Sequence, residues 1–345
     1  MHVRMVLVAN RRLHPMTTLV LQFLLLAAVV AGAGVALARA TDAIAELTRL
    51  GRLLVGSILL AAATSLPELS VDIAAVRAGH ADLAAGDLLG SSLMNLLILA
   101  GIDLCLRNGR KMLSREAASH ALSATLAIAV TGLAGCAILT AGKLPAVSLC
   151  SIGGWSWAIL TAYLLGARML FIDQRISARL AADEIPEKRG GIWRPAATFL
   201  VAAAVLVMAG PRLAAVAADL ADRSGLGGTF VGTTLVALTT SLPELVASLA
   251  AVRLGAVDLA IGNVFGSNAF NMIMFVPLDA VCPGSLFEAV SPTHAVTAFA
   301  VIVATAIAVL GQLYHAEGRL PVIEPDALLV ILVIGGALAL VFHLS

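Results

Sequence analysis

An all-α integral membrane protein, with ten transmembrane helices in two inverted five-helix repeats, is the fold the sequence predicts. Three observations predict it. The 345-residue chain is 60% hydrophobic and only 12% charged, against roughly a quarter charged residues in soluble proteins. Residues 51–103 match residues 227–279 without a gap at a constant offset of 176, with 24 identities in 53 pairs, which marks an internal duplication. One substantial polar segment, 173–194, divides the apolar runs into five and five.

A hydrocarbon core of about 30 Å takes roughly 20 residues of helix. Runs of about this length, set off by polar or Gly/Pro punctuation, lie at 17–38, 51–76, 83–106, 117–141, 147–171, 195–220, 228–252, 259–281, 292–313 and 327–343. The first follows Arg4, Arg11 and Arg12, as a signal peptide would. Its length and the lack of a cleavage context make it a membrane helix instead.

Each half carries one copy of the duplication in its second and third helices. Five crossings per half is an odd number, so the second copy enters the membrane from the side opposite to the first. Inverted repeats with a site between them near the midplane are a recurrent plan of secondary transporters. The expected organisation is a membrane repeat over 1–172, a linker over 173–194 and a second membrane repeat over 195–345.

Lys and Arg concentrate in the loops at 39–52 and 107–115, in the linker, and at Arg253 and Arg319. The positive-inside rule makes this side, linker included, cytoplasmic and puts both termini outside. The three arginines ahead of the first helix oppose that assignment. The expected location is the cell membrane, the inner one where there are two. A net charge of +1 lacks the basic footprint of a nucleic-acid binder, and no protein partner is evident beside the lipid bilayer. Cys105, Cys136, Cys150 and Cys282 lie in or beside apolar segments with no CxxC pair, and read as packing residues. The seven histidines show no ligand spacing.

The chemistry sits in the duplicated stretch. Thr64-Ser65-Leu66-Pro67-Glu68 recurs as Thr240-Ser241-Leu242-Pro243-Glu244. Both glutamates fall in the middle of membrane helices, where an ionised carboxylate costs several kcal/mol unless paired or solvated. The proline before each removes a backbone donor and disrupts the preceding turn, which predicts discontinuous helices with carbonyls freed near Ala63 and Thr239. At membrane depth such backbone is tolerated only when it lines a cavity or is buried in protein. Carboxylate, hydroxyls and carbonyls within one turn are hard oxygen ligands, suited to Ca²⁺ and Na⁺ rather than soft metals.

The partner segments are Gly86-Asp87-Leu88-Leu89-Gly90-Ser91-Ser92-Leu93-Met94-Asn95 and Gly262-Asn263-Val264-Phe265-Gly266-Ser267-Asn268-Ala269-Phe270-Asn271. Ser91 with Asn95, and Ser267 with Asn271, are four apart and share a helix face. The glycines allow close backbone approach. Asp82 and Asp258 read as acids at helix N-termini, and Arg77 and Arg253 close the preceding helices at the negative dipole end.

These paired segments resemble the α-repeats of the cation/calcium exchanger superfamily, in particular prokaryotic sodium/calcium exchangers. The resemblance implies that Glu68 and Glu244 are the central ion ligands, supported by Thr64, Ser65, Ser91 and Asn95 and by Thr240, Ser241, Ser267 and Asn271. It implies exchange of Ca²⁺ for Na⁺ by alternating access, the two ions being the transported cargo, with no cofactor and no enzymatic step. Three positions depart from the pattern: Asp87 replaces the usual Asn, Ser92 stands where the second copy has Asn268, and Asn271 stands where some relatives have Asp. Asp72, one turn beyond Glu68, matches Ser248 of the second copy. Asp72 and Asp87 are therefore possible secondary acids.

Ca²⁺/H⁺ exchange, or transport of another divalent cation against protons, is the alternative within the same fold. A membrane-embedded carboxylate enzyme is a different class, but the chain has no nucleophile beside a base, no Gly-rich nucleotide loop and no HExxH motif. A structural or channel-like protein has no need of two closely repeated motifs.

Overall fold

The computed structural model describes residues 16–48, 50–105, 120–143, 148–180, 191–223, 239–313 and 325–344. The expected first part of the seventh span, the loop at 107–115, linker residues 181–190, Arg319 and the N-terminal arginines lie outside the described residues.

Ten helices follow in order among the described residues. They are α1 (Met16–Thr48), α2 (Arg52–Arg77), α3 (Ala81–Cys105), α4 (Ala121–Thr140), α5 (Gly154–Leu180), α6 (Trp193–Arg223), α7 (Leu242–Arg253), α8 (Val257–Val281), α9 (His294–Leu313) and α10 (Pro325–Leu344). Eight are long and apolar enough to cross a membrane, and a shorter apolar stretch, Ala327–Val341, lies in α10.

Several boundaries differ from the sequence expectation. α1 continues to Thr48 rather than stopping near 38, and α5 continues to Leu180, so that 173–180, expected in the linker, is helical. Neither extension contains Gly or Pro, and nothing in helical hydrogen bonding requires a helix to end at the bilayer surface. At its other end α5 begins at Gly154, not 147, because β1 (Ser148–Leu149) and β2 (Ile152–Gly153) form a short antiparallel hairpin there. Asp279, in the last turn of α8, anchors that hairpin by accepting from Gly153 N and Ser156 Oγ, both at 2.7 Å.

α8 is the central helix: 89% of its apolar window is buried inside the protein, against 22% for α1. It packs against α2, α3, α4, α5 and α7. α1 leans on α6 and α7, and α9 on α3, α4 and α10. Leu21, Leu24 and Leu25 of α1 and Leu200 and Val201 of α6 point outward, as side chains facing lipid do.

The α2–α8 crossing is made by glycine. A Cβ on Gly56 would stand 2.6 Å from the Leu259 carbonyl oxygen, and one on Gly262 2.7 Å from that of Leu53. One on Gly266 would overlap the Ser57 backbone outright. Small residues that let backbones touch are the usual basis of helix association in lipid. Gly90, the counterpart of Gly266, has no described atom within 4 Å of such a Cβ; the counterpart of Ser57, Thr233, lies outside the described residues.

The expected helix discontinuity takes two forms. In the second half, Thr239 and Thr240 are helical, Ser241 is a turn, and α7 restarts at Leu242 with Pro243 at its first positions, where its missing N–H costs nothing. In the first half the helix runs through Pro67, and the irregularity lies earlier, in a π-helical stretch over Gly56–Leu60. Such bulges are frequent at functional sites. The contact with α8 falls on this stretch, and the wider turn presents Gly56 and Ser57 to it.

Candidate functional site

Buried apolar side chains form two main clusters, and a polar layer lies between them. On α2, Leu60 and Ala63 belong to one cluster and Val76 to the other; on α8, Val264 and Phe265 belong to the first and Met272 and Phe275 to the second. In the interval fall Thr64, Ser65, Glu68 and Asp72 on α2, and Ser267, Asn268 and Asn271 on or beside the same level of α8. Every one of them is buried. Ser91, Ser92 and Asn95 of α3 join them from one side, and Thr240, Ser241 and Glu244 from the other.

The two glutamates are held by hydroxyls of different origin. Ser91 Oγ donates to Glu68 Oε1 at 2.8 Å, within the first half. Ser65 Oγ donates to Glu244 Oε1 at 3.1 Å, across the two halves. Glu68 is 2% and Glu244 1% exposed, and Glu68 feels the charge of Glu244 directly. Ser91 at Glu68, and Ser65 with Thr64 at Glu244, are poor compensation for two like charges removed from water.

The remaining oxygens are unspent. Glu68 Oε2, Glu244 Oε2, Ser241 Oγ, Ser267 Oγ, Asn95 Oδ1 and Asn271 Oδ1 are buried without a hydrogen-bond partner. Buried polar atoms are nearly always satisfied, so six orphans in one layer make a candidate donor set for a cation. No group of three or more His, Cys, Asp and Glu able to hold a metal occurs among the described residues. An ion placed here would meet two carboxylates and several neutral oxygens, a mixture that suits Na⁺ and Ca²⁺.

Asparagine side chains tie the halves together. Asn95 Nδ2 donates to Asn268 Oδ1 at 3.0 Å, and Asn268 Nδ2 to the Ser92 carbonyl at 3.1 Å. Asn271 Nδ2 donates to the Leu88 carbonyl at 3.3 Å and to Ser92 Oγ at 3.4 Å. These bonds consume the amide N–H groups and leave the carbonyl oxygens of Asn95 and Asn271 free. Asn95→Ala and Asn268→Ala are each expected to cost about 1–3 kcal/mol, because each strands a buried partner. The double variant should lose less than the sum, as read from thermal unfolding in detergent.

Of the ten residues expected at the site, all lie in this layer. Thr64 Oγ1 is bonded back to the Ala61 carbonyl at 3.2 Å and to Asn263 Oδ1 at 3.4 Å, so its hydroxyl is already engaged. Asp72 and Asp87 come together, with their carboxyl groups in hydrogen-bonding range of one another. Asn263 and Asn268, visible in the motif yet not expected among the ligands, bridge elements instead.

Sequence reasoning missed two His–Asp contacts. His120 Nε2 lies 3.1 Å from Asp258 Oδ1, and His294 Nε2 lies 3.1 Å from Asp82 Oδ1. The two acids, expected only to complement helix ends, are repeat mates that each join the helix they begin to α4 or α9. Nothing in the spacing of the histidines signals this, since the first pair is 138 residues apart. The cysteines Cys136, Cys150 and Cys282 are unpaired.

A family model described as "Sodium/calcium exchanger protein" matches residues 18–171 and 194–341. The inner membrane protein YrbG of Escherichia coli is 30% identical over 251 residues, 68% of this chain and 71% of that protein. The putative antiporter CaxA of Alkalimonas amylolytica is 26% identical over 248 residues, 72% of this chain and 76% of its own length. Among solved structures, the sodium-calcium exchanger NCX_Mj soaked with 2.5 mM Na⁺ and 10 mM Sr²⁺ superposes with a TM-score of 0.68 at 19% identity, covering 94% of this chain and 99% of that one.

Proposed function

Because the chain belongs to the sodium/calcium exchanger family, a family of multi-pass membrane transporters and not of enzymes, we propose that it exchanges Ca²⁺ for Na⁺ at the layer between its two halves. Glu68 and Glu244 are the charged ligands. Ser241, Ser267, Asn95 and Asn271 offer neutral oxygens, and Thr64, Ser65, Ser91 and Thr240 complete the walls. The observation that carries this reading is the set of six buried, unpartnered oxygens, two on the glutamates and four around them.

Two carboxylates balance one Ca²⁺ or two monovalent ions, and full occupancy by both is repulsive. That competition is the physical basis of exchange. Alternating access needs the halves to move against each other, and the hydrogen bonds that join them at the site are few and long enough to be remade. In the cell membrane the linker between α5 and α6 faces the cytoplasm and the termini face outward, by the charge bias of the loops.

The test is ⁴⁵Ca²⁺ uptake into Na⁺-loaded proteoliposomes diluted into Na⁺-free medium, with a proton-gradient arm in parallel. Uptake that needs internal Na⁺ supports the reading, and its absence in both arms overturns it. Binding has its own readout. At 100 times its Kd, Ca²⁺ should stabilise the detergent-solubilised protein by about 2.7 kcal/mol, with added Na⁺ competing the shift away.

A further inference from the structure

The repeats differ in charge at one buried pair of positions. In the second half, Asn263 Nδ2 donates to Ser248 Oγ at 3.1 Å, a neutral contact between two fully buried side chains. The offset of 176 brings Asp72 and Asp87 to the same two positions in the first half. Their carboxyl groups meet there. Asp72 is 1% exposed, and its Oδ2 and that of Asp87 have no hydrogen-bond partner.

A serine and an asparagine satisfy each other because one of them carries the hydrogen. Two ionised carboxylates cannot, since both are acceptors only. Like charges in contact away from water do not both stay ionised. The contact requires either a proton between the oxygens or a cation. The equivalent contact of the second half is bridged by a hydrogen and not by an ion, which favours the proton in the first half as well. We propose that Asp72 and Asp87 share one proton, forming a proton site beside the glutamate pair, and release it when Ca²⁺ enters. The proton is then a co-substrate of the exchange. This rests on the cation-exchange reading above.

The surroundings fit a proton that moves with the ion. From α2 itself Glu68 faces the pair, and from α7 Glu244 interacts with Asp87. α8 presents the neutral Asn263, Ser267, Asn268 and Asn271. On α3 the other acids are Asp82, occupied by His294 of α9, whose ring borders Gly86, and the buried Asp103 near the C-terminal end of the helix. No Lys or Arg among the described residues acts on either carboxyl. Negative charge at the glutamates therefore holds the proton in place, and a divalent ion there cancels that charge and frees it.

The test compares the parent with Asp72→Ser/Asp87→Asn, which installs the pair the second half already contains, and with Asp87→Asn alone, which keeps a donor for Asp72. Purified protein in weakly buffered detergent is titrated with Ca²⁺ while released protons are counted. The parent should release about one proton more per chain than the double variant, and its apparent Ca²⁺ affinity should rise more steeply with pH. Equal release from parent and double variant overturns the proposal. A second readout needs no ion: infrared absorption of Ca²⁺-free protein at neutral pH should contain a protonated carboxyl carbonyl band that both variants lose. A band retained unchanged in both also overturns it. If the parent fails to bind Ca²⁺ yet shows that band, the exchange reading fails and the proton site stands.

Discussion

Glu68→Gln and Glu244→Gln are each expected to abolish cation exchange and to leave the protein folded. The amide keeps one oxygen and nearly the same volume, so Ser91 Oγ can still donate to position 68 and Ser65 Oγ to position 244. What disappears is one of the two negative charges of the proposed site. Two unit charges 4 Å apart interact by about 4 kcal/mol at an effective dielectric near 20, and Ca²⁺ carries two. Since each 1.4 kcal/mol is tenfold, the loss in Ca²⁺ affinity is on the order of a thousandfold or more. Uptake by the variants should fall to the level of empty liposomes.

Stability moves the other way. Without ions the two buried glutamates repel each other, so removing one charge relieves a cost rather than a support. The ion-free variants should unfold at the same temperature as the parent or higher, and should no longer respond to Ca²⁺. Exchange retained in both variants would sink the site. A lowered melting temperature with lost uptake would instead assign the glutamates a structural role.

The polar layer proposed as the site was legible in the sequence because its residues are costly in a membrane. A glutamate between apolar runs is expensive wherever it points, so Glu68 and Glu244 announce themselves. The constant offset of 176 then groups the remaining polar positions around them. Length and hydropathy likewise placed most helices within a few residues. Contacts between distant segments were not legible. Asn95 with Asn268 and His120 with Asp258 depend on how the halves are docked, which no local pattern encodes.

The break expected at Pro67 moved to Gly56–Leu60 for a related reason. A proline's lost hydrogen bond can be tolerated within a helix that neighbours support, while the position of the π-helical stretch is set by the helix that presses on it. The ends of α1 and α5 were misjudged because apolar character stops at the bilayer surface and helical structure does not. The offset also exposed Asp72 and Asp87 as unusual, but their meeting became visible only with the fold.

Gly266 is expected to be the most demanding position in the packing. Replacing it by alanine raises intrinsic helix propensity by about 1 kcal/mol, so propensity alone predicts stabilisation. The new methyl group, however, lands on the Ser57 backbone, and no side chain there can rotate out of the way. Overpacking of this kind costs about 1–3 kcal/mol, and more where two backbones must part. The steric term wins, and Gly266→Ala should lower the unfolding temperature in detergent. Gly266→Val, with two further methyl groups, should prevent recovery of monodisperse protein. Gly335 in α10 is the control. It is exposed, with nothing within 4 Å of an added Cβ, so only the propensity gain remains and Gly335→Ala should be neutral or stabilising. Equal effects at the two positions would mean that α2 and α8 do not touch at Ser57. A loss confined to Gly266 also bears on transport, because Ser57 belongs to the π-helical stretch that leads into Thr64, Ser65 and Glu68. Any fraction of Gly266→Ala that folds should then bind Ca²⁺ more weakly than the parent, since separating the two backbones pulls the α2 ligands away from Ser267 and Asn271.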